Sequence, residues 1–311
     1  MSVILAALIL VTVVVSVFDN KKEAGNFRSV IADVNIDEVD RVDINLPGEE
    51  ETFTLRKIDA DQWELLKGRD KYPAESSSVS NLLSEATGIK VKQVVAKDRD
   101  KWGEYNVNDS LGTTLRMFQD KDLLSGLVVG RMSFSQPRSP YQRQPDAFTY
   151  LRVEDDEMVY STEGMLSMIV SRGADYFRNA SITRLSKENM NRVSFNYPAD
   201  SSFVLAKNDS IWKINGIPVD STETANYLNT LSNFSNRNFA SEADIEGRSP
   251  EFNIRIEGDN MEAISIEAWP GNNDNEYFVT SSQNIGSVFS LNGQQFERLF
   301  SAEKYFYGGD E

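Results

Sequence analysis

The sequence predicts an α+β protein: an N-terminal transmembrane helix followed by two tandem, divergent copies of a unit that combines an antiparallel sheet with a helix. Three observations support this prediction. Residues 3–18 form an uncharged apolar run, several segments alternate apolar and polar residues with the period of a β-strand, and short motifs from the first half recur in order in the second. The predicted divisions are an anchor (1–18), a linker (19–35), a first repeat (36–185), a second repeat (186–306) and a tail (307–311).

The apolar run reads VILAALILVTVVVSVF and contains no charged residue. An α-helix rises about 1.5 Å per residue, so the run is slightly shorter than the roughly 30 Å hydrocarbon core of a bilayer. A cleaved signal peptide is the alternative, but the basic leader and the small-residue cleavage site are missing. We therefore expect an uncleaved anchor. Its orientation stays open, because Lys21 and Lys22 lie on the unexpected flank for an exported domain.

The evidence for duplication is a set of matched segments. RVDINLP at 41–47 corresponds to RVSFNYP at 192–198, and FTLRK at 53–57 corresponds to FVLAK at 203–207. Both copies alternate apolar and polar residues around Pro-containing turns, as hairpin-linked strands do. A tryptophan follows each second strand, and its place inside an alternating segment predicts a structural role in the core rather than ligand stacking. These residues are Trp63 and Trp212.

A helix is predicted after the strands of each copy, because apolar residues recur there at spacings of three and four. In the second copy, Asp220 stands three residues before Glu223, an arrangement that favours a helix start. Further strands and a short apolar helix, beginning near Met165 in the first copy and Gln294 in the second, complete each unit. The helical positions are Val79, Leu82, Leu83, Ala86 and Ile89 in the first copy, and Thr224, Tyr227, Leu228, Leu231 and Phe234 in the second.

Composition excludes several classes of function. The chain has 32 Lys and Arg against 48 Asp and Glu, a net charge of −16, which disfavours nucleic-acid binding. It contains no Cys and no His, which excludes His-based triads, thiol nucleophiles, Cys or His zinc sites and iron–sulfur clusters. Three acidic stretches, at 154–157 and around Asp33 and Asp274, lack the ligand spacing of a calcium loop. We therefore predict no catalytic residue, metal or cofactor.

One loop differs from its surroundings and is a candidate partner-binding segment. Residues 133–145 read SFSQPRSPYQRQP, with three prolines and no strand alternation. The interval around it holds four arginines and one acid in an otherwise acidic chain, and guanidinium groups beside a tyrosine could bind a carboxylate, a phosphate or a polymer. A merely solvated loop is the alternative. The candidate residues are Arg131, Arg138, Tyr141, Arg143 and Arg152.

Several motifs resemble a bacterial family known as DUF4340: VDRVDINLP, DADQWEL, PAESSSVSNLL, WGEYNV, LVVG, TYLRV and VYS. The resemblance covers most of the first copy and, more faintly, the second. It implies a membrane-anchored envelope protein with extracytoplasmic, periplasmic domains. Because members are often encoded near ABC transporter components of the gliding-motility type, it also implies an accessory role in transport. It supplies no catalytic residues.

The predicted function is therefore that of a non-enzymatic, single-pass envelope protein that serves as an accessory or interaction subunit of an ABC transport system. Its expected partners are the membrane, through residues 3–18, and transporter subunits or another envelope protein, with no nucleic acid. Two alternatives stay open. The soluble domains could form a binding module for a small ligand or polymer, or a hydrolase could use carboxylates that are remote in sequence but meet in space.

Overall fold

The computed structural model describes residues 29–49, 51–135 and 146–308, and antiparallel β-sheet dominates this part of the chain. The strands in chain order are β1 Val30–Ile31, β2 Arg41–Asn45, β3 Phe53–Asp59, β4 Gln62–Lys67, β5 Asp70–Pro73, β6 Ile89–Ala96, β7 Thr113–Gln119, β8 Asp122–Phe134, β9 Ala147–Val153, β10 Val159–Glu163, β11 Ser181–Arg184, β12 Met190–Asn196, β13 Phe203–Asn208, β14 Ile211–Ile214, β15 Ile217–Pro218, β16 Asn233–Ser235, β17 Phe239–Ala240, β18 Phe252–Gly258, β19 Ile264–Pro270, β20 Glu276–Ser281 and β21 Val288–Asn292. The α-helices are α1 Ser76–Ala86, α2 Trp102–Tyr105, α3 Leu166–Val170, α4 Ser221–Ser232 and α5 Gly293–Leu299. Short 3₁₀ turns lie at Ile36–Glu38, Arg99–Lys101, Ala174–Tyr176, Lys187–Asn189, Glu242–Asp244 and Glu303–Tyr307.

The predicted fold class is wrong. The described residues are mostly antiparallel β-sheet, with 44% strand and 22% helix, rather than the predicted α+β arrangement. The physical reason is that the helical segments are short: the longest described helix has 12 residues, and the short helix predicted at 165–170 spans the five residues Leu166–Val170. None of the helices in the described ranges has the length and apolar character that a bilayer crossing requires. The predicted anchor, residues 1–18, lies outside the described residues.

The chain divides into two compact units. The first combines the described parts of Met1–Glu50 with Asn81–Ser171, and the second combines those of Glu51–Ser80 with Arg172–Glu311. Residues 51–80 thus group with the second unit, although they belong to the first predicted repeat. The repeat boundaries at 36–185 and 186–306 stay a prediction about the sequence duplication.

In the first unit, the strand order is β1-β6-β10-β9-β8-β7-β2, and neighbouring strands are antiparallel. Alternation in β2 buries Val42 and Ile44 completely, as expected for a strand with one face on a core. Position 130 in β8 requires glycine because the backbone of Tyr105 lies close to it. A Cβ on Gly130 would overlap the carbonyl oxygen of Tyr105. The chain around residues 105–107 therefore lies directly against this strand.

In the second unit, one sheet has the order β15-β14-β13-β12-β18-β19-β20-β21-β17, β3, β4 and β5 pair as successive hairpins, and β11 pairs with β16. Aromatic residues fill its core: the rings of Phe195 and Phe203 stack with their centroids 4.2 Å apart, and the Tyr227 hydroxyl donates a hydrogen bond to the Leu299 carbonyl at 2.8 Å. The predicted start of α4 is confirmed, since the Asp220 side chain accepts hydrogen bonds from the N–H groups of Thr222 and Glu223.

The segments matched in sequence share their strand pairings. The order β2-β7-β8-β9-β10 in the first unit corresponds to β12-β18-β19-β20-β21 in the second. The two tryptophans also occupy equivalent registers, because Trp63 lies opposite Lys57 and Trp212 lies opposite Lys207 in their hairpins. Trp63 is buried and Trp212 packs, partly buried, on the core of the second unit. Their placement fits the predicted structural role.

Candidate functional site

The most distinctive surface of the second unit surrounds the loop 281–287, which begins with the last residue of β20 and leads to β21. Three clefts of about 650, 530 and 420 Å³ meet at this loop. Ile285 lines the first and second clefts, Gln283 the second and third, and Ser282 the first and third. We call the first the acidic cleft and the second the tryptophan cleft, which contains Trp63. The loop is thus a ridge with a concave surface on each side.

Two side-chain amides hold the loop 281–287 in place. Gln283 accepts a hydrogen bond from the Arg184 N–H at 2.8 Å and donates one to the Arg184 carbonyl at 3.2 Å. Asn284 donates from Nδ2 to the carbonyls of Asn179 (2.7 Å) and Ser181 (3.0 Å). Because both amides pair with backbone groups, they satisfy main-chain polar atoms that a neighbouring strand would otherwise satisfy. The loop is therefore attached to β11 and to the residues just before it.

Backbone turns inside the loop complete its shape. The Asn284 N–H donates to the Ser281 carbonyl at 3.0 Å, and the Ser287 N–H donates to the Asn284 carbonyl at 3.2 Å. Gly286 adopts φ +83°, and a Cβ there would lie 3.0 Å from the Lys71 carbonyl oxygen. Glycine suits this position because a side chain at positive φ is strained and the neighbouring hairpin leaves little room.

The buried side chain of Arg178 contacts the loop 281–287 through Ser287. Its guanidinium lies between two rings, 3.7 Å from the centroid of Tyr72 and 3.7 Å from that of Phe239, and it donates to the Ser287 hydroxyl at 3.3 Å. Burial lowers the pKa of Arg178 and raises that of Tyr72. Nε of Arg178 has no hydrogen-bond partner. The stack joins the β4-β5 hairpin, the loop and β17 in one packed cluster.

The loop presents an apolar side chain to solvent. Ile285 is 78% exposed, the largest value among the exposed large apolar residues in the described part of the chain. Ile58, which is 56% exposed, also lines the tryptophan cleft. A single exposed isoleucine is ordinary, but this one stands on a loop that is held by specific hydrogen bonds and lies between two clefts. The arrangement is suited to contact with another molecule.

The acidic cleft combines carboxylates, hydroxyls and an apolar rim. Three glutamates line it, and no lysine or arginine does. Glu242 begins a turn whose start is capped by Ser241, and Glu267 projects from β19. Three carboxylates without a cation in the lining make the cleft electronegative. Its other lining residues are Ile245, Ser265, Thr280, Ser281, Ser282, Asn284, Ile285, Gly286, Ser287 and Val288.

Of the candidate loop residues predicted from sequence, Arg131 and Arg152 lie in the described part of the first unit. Arg131 is exposed, donates from Nε to the Glu104 carbonyl at 2.9 Å, and lines a cleft of about 340 Å³. Its guanidinium carbon lies 5.0 Å from the Tyr150 ring centroid. Arg138, Tyr141 and Arg143 lie outside the described residues. The partner-binding role of this loop stays a prediction.

Arg152 has contacts that indicate a structural role. It is buried, its guanidinium carbon lies 3.9 Å from the Trp102 ring centroid, and it donates to the carbonyls of Val107 and Glu154, each at 2.8 Å. It also forms an ion pair with Asp109 at 3.1 Å. Burial is the largest influence on the pKa of Arg152 and lowers it. The guanidinium is thus directed at groups of its own unit.

The acidic stretches considered for metal binding are engaged otherwise where the structure describes them. Glu154 forms an ion pair with Arg116 at 2.6 Å, and Glu157 pairs with Arg99 at 3.1 Å. Across residues 29–49, 51–135 and 146–308, no group of three or more acidic side chains is close enough to hold a metal ion.

No pattern in the sequence predicted the loop 281–287 as a candidate site. Its sequence, SSQNIGS, is polar except for one isoleucine between two strands. An isolated β-branched apolar residue beside a glycine in a polar connection could have identified it, because such a residue has no strand partner to bury it.

The family comparison agrees with the motifs. A family model described as a domain of unknown function, DUF4340, matches residues 63–251, which is more than half of the chain. No curated protein and no solved structure matched the chain. The matched range contains Trp63, Trp212 and α4, and the loop 281–287 lies after it. The resemblance predicted from the motifs is confirmed, and the chain belongs to the DUF4340 family.

Proposed function

We propose that this chain is a non-enzymatic interaction protein that binds another protein through the loop 281–287 and its flanking clefts. The observation that supports the proposal is the exposed Ile285 on a loop fixed by four hydrogen bonds, of which the Gln283 and Asn284 side chains donate three and Gln283 accepts one. A fixed loop loses little conformational freedom on binding, so more of the contact energy appears as affinity. Covering an isoleucine side chain contributes about 1.5–3 kcal/mol.

The surroundings of Ile285 favour a protein partner over a buried small molecule. Ile58 offers a second exposed apolar contact in the adjoining tryptophan cleft. Stable protein interfaces bury roughly 800 Å² on each partner, with an apolar centre and a polar rim. Three adjoining clefts around one ridge offer an extended surface of this kind.

We further propose that the partner belongs to a transport complex, with this chain as its accessory subunit. This step rests on the family resemblance, which associates such chains with ABC transporter components. The location in the cell envelope, with extracytoplasmic soluble domains, stays a prediction. Transporter subunits are therefore the first partners to test.

Two other functions have an observation in their favour. The acidic cleft, at about 650 Å³, has the size of a small-ligand site, which supports a binding module. Its three glutamates support carboxylate-based hydrolysis, which needs a pair of carboxyl groups at a fixed separation across a substrate. A bound small molecule recovered from the purified protein would favour the first, and turnover abolished by Glu267→Gln would favour the second.

The test is site-specific photo-crosslinking from position 285 in cells, followed by identification of the partner. The captured protein is then purified, and its affinity is measured for the unmodified chain and for Ile285→Asp. Ile217→Asp is the matched control, because Ile217 is 58% exposed in the same unit but lines none of the three clefts. We expect Ile285→Asp to weaken binding at least tenfold and Ile217→Asp to leave it unchanged.

Two results would count against the proposal. Equal affinity of both variants for the captured protein would show that the loop is not the contact. Capture of a specific protein other than a transporter subunit would retain the interaction function and remove the transport assignment. Circular dichroism and thermal unfolding of each variant separate loss of binding from loss of fold.

A further inference from the structure

Resting on the proposed function, we infer that the partner segment is basic as well as apolar: it inserts a lysine or arginine into the acidic cleft while a neighbouring apolar residue covers Ile285. Three features of the acidic cleft indicate this chemistry: its charge, its apolar rim and an amide oxygen without a hydrogen-bond partner.

The charge of the cleft favours a cation. Glu242, Glu246 and Glu267 line it without a lysine or arginine to neutralise them. A basic side chain placed among these carboxylates meets opposite charges, whereas an acidic segment would meet like charges. The apolar side chains of Ile245, Val288 and Ile285 line the same cleft. A lysine or arginine matches both features, since it has an aliphatic stem and a charged end.

The buried side chain of Asn284 independently favours a ligand that can donate a hydrogen bond. It lines the acidic cleft and is only 1% exposed. Its Nδ2 donates to the carbonyls of Asn179 and Ser181, which fixes the orientation of the amide, and Oδ1 is left without a hydrogen-bond partner. A buried acceptor without a donor is costly, so binding is favoured by a group that brings an N–H. Ammonium and guanidinium groups do so, and a carboxylate does not.

A peptide segment accounts for the surface better than a free cation does. In the part of the chain that the structure describes, no cluster of three acidic groups is close enough to chelate a metal ion. Ile285 also belongs to both the acidic and the tryptophan clefts, so one extended segment can occupy the acidic cleft and cover the apolar ridge together. A small amine would use the first cleft only.

The experiment uses the full chain and three synthetic peptides of equal length, read out by fluorescence anisotropy. One alternates leucine and lysine, one alternates leucine and glutamate, and one alternates serine and lysine. We expect the leucine–lysine peptide to bind at least tenfold more tightly than either of the others, and its affinity to fall as salt is raised toward about 0.15 M. Equal binding of the leucine–glutamate peptide, or of the serine–lysine peptide, would overturn the inference.

Substitution of the glutamates in the acidic cleft tests whether the peptide binds there. An exposed ion pair changes affinity by a few-fold. Replacing Glu242, Glu246 and Glu267 by glutamine in one triple variant should therefore weaken binding of the leucine–lysine peptide about tenfold and reduce the salt dependence of that binding. The matched control replaces Glu188, Glu251 and Glu297 with glutamine. These three residues are exposed in the same unit, do not line the acidic cleft, and give the same change in net charge. Equal weakening by both triple variants would indicate non-specific attraction and overturn the inference.

The same variants separate this inference from the function on which it rests. If the cellular partner depends on Ile285 but binds the cleft triple variant with unchanged affinity, the interaction function stands and the basic-segment inference fails. If binding is independent of Ile285, the interaction function itself fails. Full competition of the leucine–lysine peptide by butylammonium would identify a small amine as the ligand and also overturn the inference.

Discussion

Replacing Asn284 with leucine tests whether side-chain amides hold the loop 281–287 in place. Leucine is close in shape to asparagine but removes both hydrogen bonds, at 2.7 and 3.0 Å, to the carbonyls of Asn179 and Ser181. It also removes the unpartnered Oδ1, which offsets part of the loss. With a net cost of about 1 kcal/mol for each bond and a further cost where a buried carbonyl is left unpaired, we expect a destabilisation of about 2–3 kcal/mol.

Two measurements check this expectation. Urea unfolding should show a lower midpoint for Asn284→Leu with an unchanged m-value. Hydrogen exchange should accelerate at 281–287, because local opening becomes easier when the anchoring bonds are gone. Asn272→Leu is the control: Asn272 is exposed in the same unit, and a change there should stay within about 0.5 kcal/mol. If Asn284→Leu is as mild as this control, the loop is held by something other than these bonds.

The remaining predictions concern backbone strain, a buried cation and tyrosine ionisation. Gly286→Ala should destabilise by about 1–2 kcal/mol in urea unfolding, because φ is +83° and a Cβ would meet the Lys71 carbonyl, while Gly216→Ala, also at φ +83° but without a close neighbour, should cost less. Arg152→Met should cost about 3 kcal/mol or more, because it leaves buried carbonyls unpaired, and Arg131→Met should cost under about 1 kcal/mol. Burial, with a hydrogen bond to Glu223, raises the pKa of Tyr305 to about 12 from 10.0. The folded state therefore keeps this proton more tightly, so the stability contribution is complete below pH 10.0 and is lost as the pH rises toward about 12. Tyr305→Phe should flatten this decline in urea midpoints, and an unchanged slope would contradict the assignment.

Much of the strand arrangement could be predicted from sequence because strands with one buried face impose an alternating pattern. The matched motifs at 41–47 and 192–198 correspond to β2 and β12, and the two tryptophans have equivalent partners across their hairpins. The balance between sheet and helix was predicted wrongly. The predicted short helix at 165–170 is present as Leu166–Val170, but helices of this length contribute too few residues to balance the sheet.

The candidate surface was harder to predict, because its parts are distant in sequence. Arg178 contacts Tyr72 and Phe239, and Asn284 contacts residues more than 100 positions away. No periodic pattern marks such contacts, since they depend on tertiary packing rather than on local backbone preference. Arg152 shows the converse: local charge made it a binding candidate, whereas tertiary burial directs its guanidinium to carbonyls of its own unit.

The β9–β10 and β20–β21 connections occupy equivalent places in the two units but differ in sequence. The chain passes from β9 to β10 through EDDEM at 154–158, and from β20 to β21 through SQNIGS at 282–287. The flanking strands pair in the same order in both units, because their alternating apolar faces must fill a core. The connections carry no such constraint, and one is an acidic turn whereas the other is a fixed loop with an exposed isoleucine. If strand order reflects packing alone, transplanting EDDEM in place of SQNIGS should keep the strand order, lower the stability because the Gln283 and Asn284 hydrogen bonds are lost, and abolish partner capture. Unchanged capture by that chimaera would place the interaction surface elsewhere in the chain.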